Sequence, residues 1–263
     1  TTGSVAFPGR SVGILINYGK IEGAQPLLYP LYEQVVGLLD RIPLGSLPLR
    51  LALFSALCAW GALTLLFGIM SSLVFRTIEP EMNSRARWLA ALSAGLTAVA
   101  FLAFAKPFWY AANRADYAAF HLLLFLGLAR LFFFWFVNWR QREWTLYLFA
   151  FLYGAGVAEF ATFIIFAPLF AMTVLVMLAV TGRFSSLRVT GMAFCGLAGL
   201  SLYLWMAWRY AHAAYTLQPA ASVFEAFVFI AKAQFNMILR SLPTVGWLVV
   251  GVTTYVPWLI LLP

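Results

Sequence analysis

Asp116 and His121 stand five residues apart at the start of a long apolar run, with Lys106 and Arg114 just ahead of them. An acid so placed has two readings. It can hold a metal or orient a substrate hydroxyl, or it can be a helix N-terminal charge paired with Arg114. His121 reads first as a histidine satisfied between helices and second as a ligand. Glu159 lies within another apolar stretch, where an ionised carboxylate is costly unless paired or hydrated, so it is functional by default. Arg130, inside an earlier apolar run, is its candidate partner across a bundle. Arg209 closes a further run, and a side chain that long can carry its charge out to lipid headgroups. Cys58 and Cys195 each sit alone in apolar runs and read as small buried hydrophobes, because neither has a neighbouring His or Cys with which to make a metal or redox motif.

The elements that must position these groups follow from composition. Of 263 residues, 63% are hydrophobic and 10% charged, against about 45–50% and 25% in a soluble domain. No aqueous core of this size hides so much apolar surface, so the expected solvent is lipid and the expected class an all-α polytopic transmembrane bundle. The net charge of +8 does not point to nucleic acid. Arg76, Arg85, Arg87, Arg140, Arg142, Arg183 and Arg188 fall in short gaps between apolar runs, as cytoplasmic anchors do, and no basic patch is interleaved with exposed aromatics.

Six apolar segments cover about 51–74, 88–105, 117–137, 145–181, 190–211 and 244–262. At 1.5 Å per residue the fourth would run about 55 Å, nearly twice a ~30 Å hydrocarbon core. Gly154, Gly156 and Glu159 mark a break, giving two helices at about 145–158 and 161–181, and about seven membrane helices in all. The Arg-bearing gaps 75–87, 138–144 and 182–189 then share the cytoplasmic side. The 1–50 loop, the 106–116 turn and the 212–243 loop share the exoplasmic side.

Residues 1–50 contain no spanning run, and Leu31–Leu39 reads as a short interfacial helix. A large opening loop usually connects two helices, so a transmembrane helix is expected ahead of Thr1 and the chain is expected to be the N-proximal part of a longer protein. In 212–243, Phe224, Phe227, Val228, Ala231, Phe235 and Ile238 share one helical face, as in an interfacial helix.

Several blocks resemble one membrane glycosyltransferase family. They are Phe7-Pro8-Gly9-Arg10-Ser11; Gln25-Pro26-Leu27-Leu28-Tyr29-Pro30-Leu31-Tyr32; Arg50–Ser55; Pro107–His121; Phe149–Pro168; and, more weakly, Leu202–Arg209. They occur in order and cover most of the chain. The family is of the GT-C type and includes transmembrane protein O-mannosyltransferases.

The resemblance implies a GT-C-like bundle whose exoplasmic loops form a cleft, in a bacterial inner membrane or its equivalent. It also implies transfer of a sugar from a polyprenyl-phosphate carrier to a protein or glycan acceptor. A hydroxyl acceptor needs a base, and a departing lipid phosphate needs cations or a divalent metal, the candidate cofactor. On these matches the expected substrate-binding residues are Arg10, Gln25, Tyr29, Lys106, Arg114, Asp116, His121 and Arg209, the last a contact for lipid phosphate. The departures are as informative. Arg10 stands where the family has its catalytic Asp, and Gln25, fifteen residues on, where it has a His. The third block has Glu159 and Phe160 where the family has another His. A guanidinium stays protonated and is no base.

Three functions therefore remain open. One is a transferase whose base has moved to Glu22, Glu33 or Asp40. Another is an inactive relative kept as a structural or lipid-binding subunit of a membrane complex. The third is a transporter built on Glu159 and Arg130, which the matching blocks disfavour.

Overall fold

The computed structural model describes residues 29–43, 45–78, 83–138, 143–160, 163–212 and 222–236. Arg10, Glu22, Gln25 and the apolar segment 244–262 lie outside them. The described elements are all helices. A short helix, α1 (Pro30–Asp40), precedes α2 (Leu47–Thr77), α3 (Ser84–Ala103), a one-to-two-turn α4 (Lys106–Ala112), α5 (Ala118–Asn138), α6 (Trp144–Glu159), α7 (Phe163–Val180), α8 (Ser186–Leu200) and α9 (Leu202–Ala211). A last helix, α10, covers 223–236.

Five spans are long and apolar enough to cross a membrane, namely α2, α3, α5, α7 and the nearly continuous Ser186–Ala211. Large apolar side chains such as Leu57, Trp60, Phe101, Met172 and Phe194 point outward from these helices. In water that would be a severe penalty; in lipid it costs nothing. The chain is a multi-pass membrane protein.

The expected break in the fourth segment is present. Helix α6 ends at Glu159, and Phe160 turns to extended backbone (φ −143°, ψ 105°) before α7 starts at Phe163. At 16 residues α6 is only about 24 Å long, short for a crossing. It is the helix most enclosed by protein, with Gly154, Ala155, Gly156, Ala158 and Glu159 all buried. A Cβ on Gly154 would come within 2.1 Å of the Gly196 carbonyl oxygen, and one on Gly199 within 2.1 Å of that of Phe151. Small residues bring the α6 and α8 backbones into contact, the usual device where lipid supplies no hydrophobic drive between helices.

The helices alternate in direction, so the bundle has two distinct ends. At one, Glu143 joins the α5–α6 gap to the α7–α8 gap through Arg183 (2.8 Å) and Arg188 (3.2 Å). At the other, α1 lies across the starts of α2 and α5 and the ends of α6 and α9. Tyr32 and Val36, one turn apart on α1, are fully buried there with Leu51, Ala115 and Tyr117. Helix α10 lies within the 212–243 stretch in which an interfacial helix is expected. It docks on α9 through Ala226 and Ile230, against Met206, Ala207 and Tyr210. Phe224, Phe227, Val228 and Phe235 are left facing outward.

Candidate functional site

Helix α1 is short, begins with Pro30 at its first turn and has no side-chain cap of its own. Its ends are closed from elsewhere. The Glu159 carboxylate, wholly buried, accepts the Leu31 N–H at 2.7 Å and the Tyr32 N–H at 3.2 Å. These are first-turn donors that no intrahelical carbonyl can reach, and a negative charge suits that end of the helix dipole. At the far end the Arg50 guanidinium donates to the carbonyls of Leu39, Asp40 (2.9 Å) and Ile42. A cation there complements the dipole in turn.

His121 adds a third partner to Glu159, its Nε2 lying 3.1 Å from Oε1. The ring is 5% exposed. It stacks on Phe160 at 4.5 Å and packs edge-on to Tyr29 and tilted against Tyr117. Tyr29 lies 4.0 Å from Tyr117. Tyr29 and His121 are thus brought together, and His121 lies between helices with Glu159 as its partner.

Asp116 is half-buried at the start of α5. Its Oδ1 accepts the Tyr117 N–H at 2.7 Å, and its own carbonyl accepts the Ser55 hydroxyl at 3.1 Å. Of its two readings, the geometry matches the helix N-terminal charge without the Arg114 partner. Arg114 instead lies over the Tyr110 ring at 4.6 Å. Lys106 is exposed at the first residue of α4, apart from the Tyr29–His121 cluster.

One expectation about an arginine changes. Arg130 does not meet Glu159; it donates to the Gly68 carbonyl (3.1 Å) and the Ser72 hydroxyl (3.2 Å). The reason is distance, since nine residues of helix past His121 carry it about 13 Å down the bundle. Arg209 is engaged at 2.8 Å by Glu33, one of the candidate bases, and lies over the Trp205 ring. Burial pushes the Glu33 carboxyl above its ordinary range; Arg209 pulls it back, and Glu159 adds to the rise. The Tyr32 phenol is pushed up as well, first by burial and then by the Asp116 charge. Asp40, the remaining described candidate base, is exposed at the end of α1.

Beside this polar cluster runs a groove of about 330 Å³, within the usual range of small-molecule sites, about 300–1,000 Å³. Tyr117, just ahead of α5, with His121 and Phe125 at helical spacing after it, forms one wall, and Phe160, Phe163 and Phe166 the other. Sequence reasoning missed Tyr117 and Arg50 as site residues. Their signal was faint, because a tyrosine at a helix start and an arginine at a span boundary both read as interfacial anchors.

The described residues alone offer no three-ligand set for a divalent metal, and both Glu159 oxygens already accept backbone N–H groups. No curated protein and no solved structure matches the chain. Residues 21–182, which include α1 through α7 and therefore Glu159, His121 and the groove, match the family model described as the Protein O-mannosyl-transferase TMEM260 N-terminal domain, and the chain belongs to that family of glycosyltransferase-like membrane proteins.

Proposed function

We propose that the chain is the membrane part of a GT-C-type transferase that passes a sugar from a polyprenyl-phosphate carrier to a protein or glycan acceptor, with the α1 end exoplasmic. The observation that carries this reading is the groove's change of character along its length. Phe125, Phe163 and Phe166 offer an apolar aromatic wall, suited to an isoprenoid chain lying against the bundle from the lipid side. Tyr117 and His121, next to Glu159, offer polar groups where the carrier's head would lie. Arg209, Arg114 and Lys106 belong to the same end of the bundle and are the candidate cations for the phosphate, whose negative charge grows as the sugar leaves. The membrane is a bacterial inner membrane or its equivalent.

A second reading has its own support. Glu159 is committed to α1 and Glu33 to Arg209, and Arg10 is no base. A relative that holds the carrier or a partner subunit without transferring sugar fits those three facts.

The test is a transfer assay on full-length protein in detergent, with polyprenyl-phosphate mannose of long and short chain and a hydroxyl-bearing peptide. Under the proposal, Phe166→Ala raises KM for the long-chain carrier more than for the short one. Transfer from a sugar nucleotide with none from either carrier would defeat the donor assignment.

A further inference from the structure

We infer that the end of the bundle away from α1 holds a second site, which binds the phosphate of an anionic membrane lipid between α2 and α3. It is distinct from the groove. From Phe54, under α1, to Ser72 is eighteen residues of one helix, about 27 Å. Here α2 and α3 separate around a cavity of about 650 Å³, lined by Ser71, Ser72, Arg76, Arg87 and the rings of Phe75 and Trp88.

Three features make this more than a place where two helices splay. The first is charge without compensation: two arginines line the cavity and no acid among the described residues does. Arg130 adds a third positive charge behind the wall, held on Gly68 and Ser72, which both line it. The second is orientation. Arg87 is anchored through one nitrogen, donating to the Phe75 carbonyl at 2.9 Å, and lies over the Phe75 ring at 4.6 Å. A guanidinium held at one corner while lining the cavity presents a rigid planar donor set, which phosphate oxygens match. Arg76, exposed and without an ion pair among the described residues, supplies a second cation. The third is the amphipathic lining: apolar side chains such as Phe67 and Leu92 continue from the cationic end toward the spans, so a headgroup here has room for acyl chains alongside. Ordinary basic anchors project into water instead; basic pockets between membrane helices are where phospholipid headgroups are held. Glu79 and Glu81, in the α2–α3 connection, lie outside the described residues.

Native mass spectrometry of the full chain, titrated with phosphatidylglycerol or with phosphatidylcholine, reads the site directly. The expected result is one phosphatidylglycerol retained in preference to phosphatidylcholine. Arg76→Gln should weaken it roughly tenfold, the worth of one charge-assisted contact. That residue has no described partner to lose, so a folding defect is not expected. Arg76→Gln with Arg87→Gln should abolish the preference, while Glu79→Gln with Glu81→Gln leaves it intact or raises it. Adding inorganic phosphate separates the sources: lipid that stays bound identifies the headgroup in its membrane setting, and displacement shows that phosphate alone suffices. Equal retention of the two lipids, or equal retention by wild type and the double arginine variant, would overturn the site.

Discussion

The Glu159 carboxylate accepts the backbone N–H of Leu31 at 2.7 Å across 128 positions of sequence. The last residue of α6 thereby closes the first turn of α1. A buried carboxylate at membrane depth is unstable alone, and α1 has no cap of its own. Each supplies what the other lacks, and His121 completes the arrangement from α5.

Replacing Glu159 by Ala should therefore undock α1 rather than merely remove a charge. The Leu31 and Tyr32 N–H groups would be left unpaired, at about 1–3 kcal/mol each. A fall in melting temperature in detergent, with new protease cleavage within 29–43, is expected. An unchanged melt and an uncut α1 would contradict the capping role.

Arg50→Ala should loosen the other end of the same helix. It removes the donor to Leu39, Asp40 and Ile42 and a cation at a helix C-terminus, together about 1–2 kcal/mol. Hydrogen exchange should quicken at Arg41 and Ile42, whose N–H groups donate to Leu38 and Leu39. Arg50→Lys, which keeps the charge on a shorter and more flexible stem, should fall between. Exchange rates equal to wild type would show that the end is held by packing alone.

How much of this was legible before the structure depends on the range of the interaction. The break after Glu159 followed from segment length against bilayer thickness, a local argument. The short helix at 30–40 followed from proline punctuation. Its closure by Glu159 and Arg50 did not, because a cap supplied from another helix leaves no mark near the helix it caps. The Arg130–Glu159 pairing failed for the same reason. Two opposite charges in apolar runs look like partners until helix rise places them about 13 Å apart. Arg209 and Glu33 were each assigned a chemical role, and neither assignment could register that they neutralise each other.

The Glu33–Arg209 contact gives a pH signature. Burial holds the Glu33 carboxyl above its ordinary 4.5, so folding favours the protonated form. That contribution is fully present below about 4.5 and is lost as pH rises from there through the raised value. Glu33→Gln cannot ionise and should lose this part of the slope. The melting temperature of the variant relative to wild type should rise with pH across that window. Parallel melting curves would mean that Arg209 compensates the buried charge fully.

Gly154→Ala should be among the most damaging small changes in the bundle. Its Cβ meets backbone, the Gly196 carbonyl oxygen at 2.1 Å, which cannot rotate away as a side chain can. The α6–α8 contact must open, at about 1–3 kcal/mol or more. Gly68→Ala is the matched control, with nothing within 4 Å of its Cβ and up to about 1 kcal/mol of helix propensity to gain. If both variants melt with wild type, close backbone packing is not what holds α6 to α8.

The last expectation concerns Arg10, which the resemblance alone sets at a catalytic Asp position and which lies outside the described residues. A guanidinium takes up no proton at neutral pH, and it would repel any cation held beside it. Its charge suits holding a phosphate, not activating a hydroxyl. On the reading of an inactive relative, wild-type protein transfers sugar from polyprenyl-phosphate mannose slowly or not at all, and Arg10→Asp transfers faster, by about 10²–10⁴-fold if the restored carboxylate acts as general base. Acceptor-dependent product measured over time for both proteins decides this, with carrier binding measured in parallel. Robust wild-type turnover that is lost on changing Glu22, Glu33 or Asp40 would show instead that the base has moved. Carrier binding without turnover in either protein would leave the bundle as a holder of lipid-linked sugar, since supplying the base would then have restored nothing.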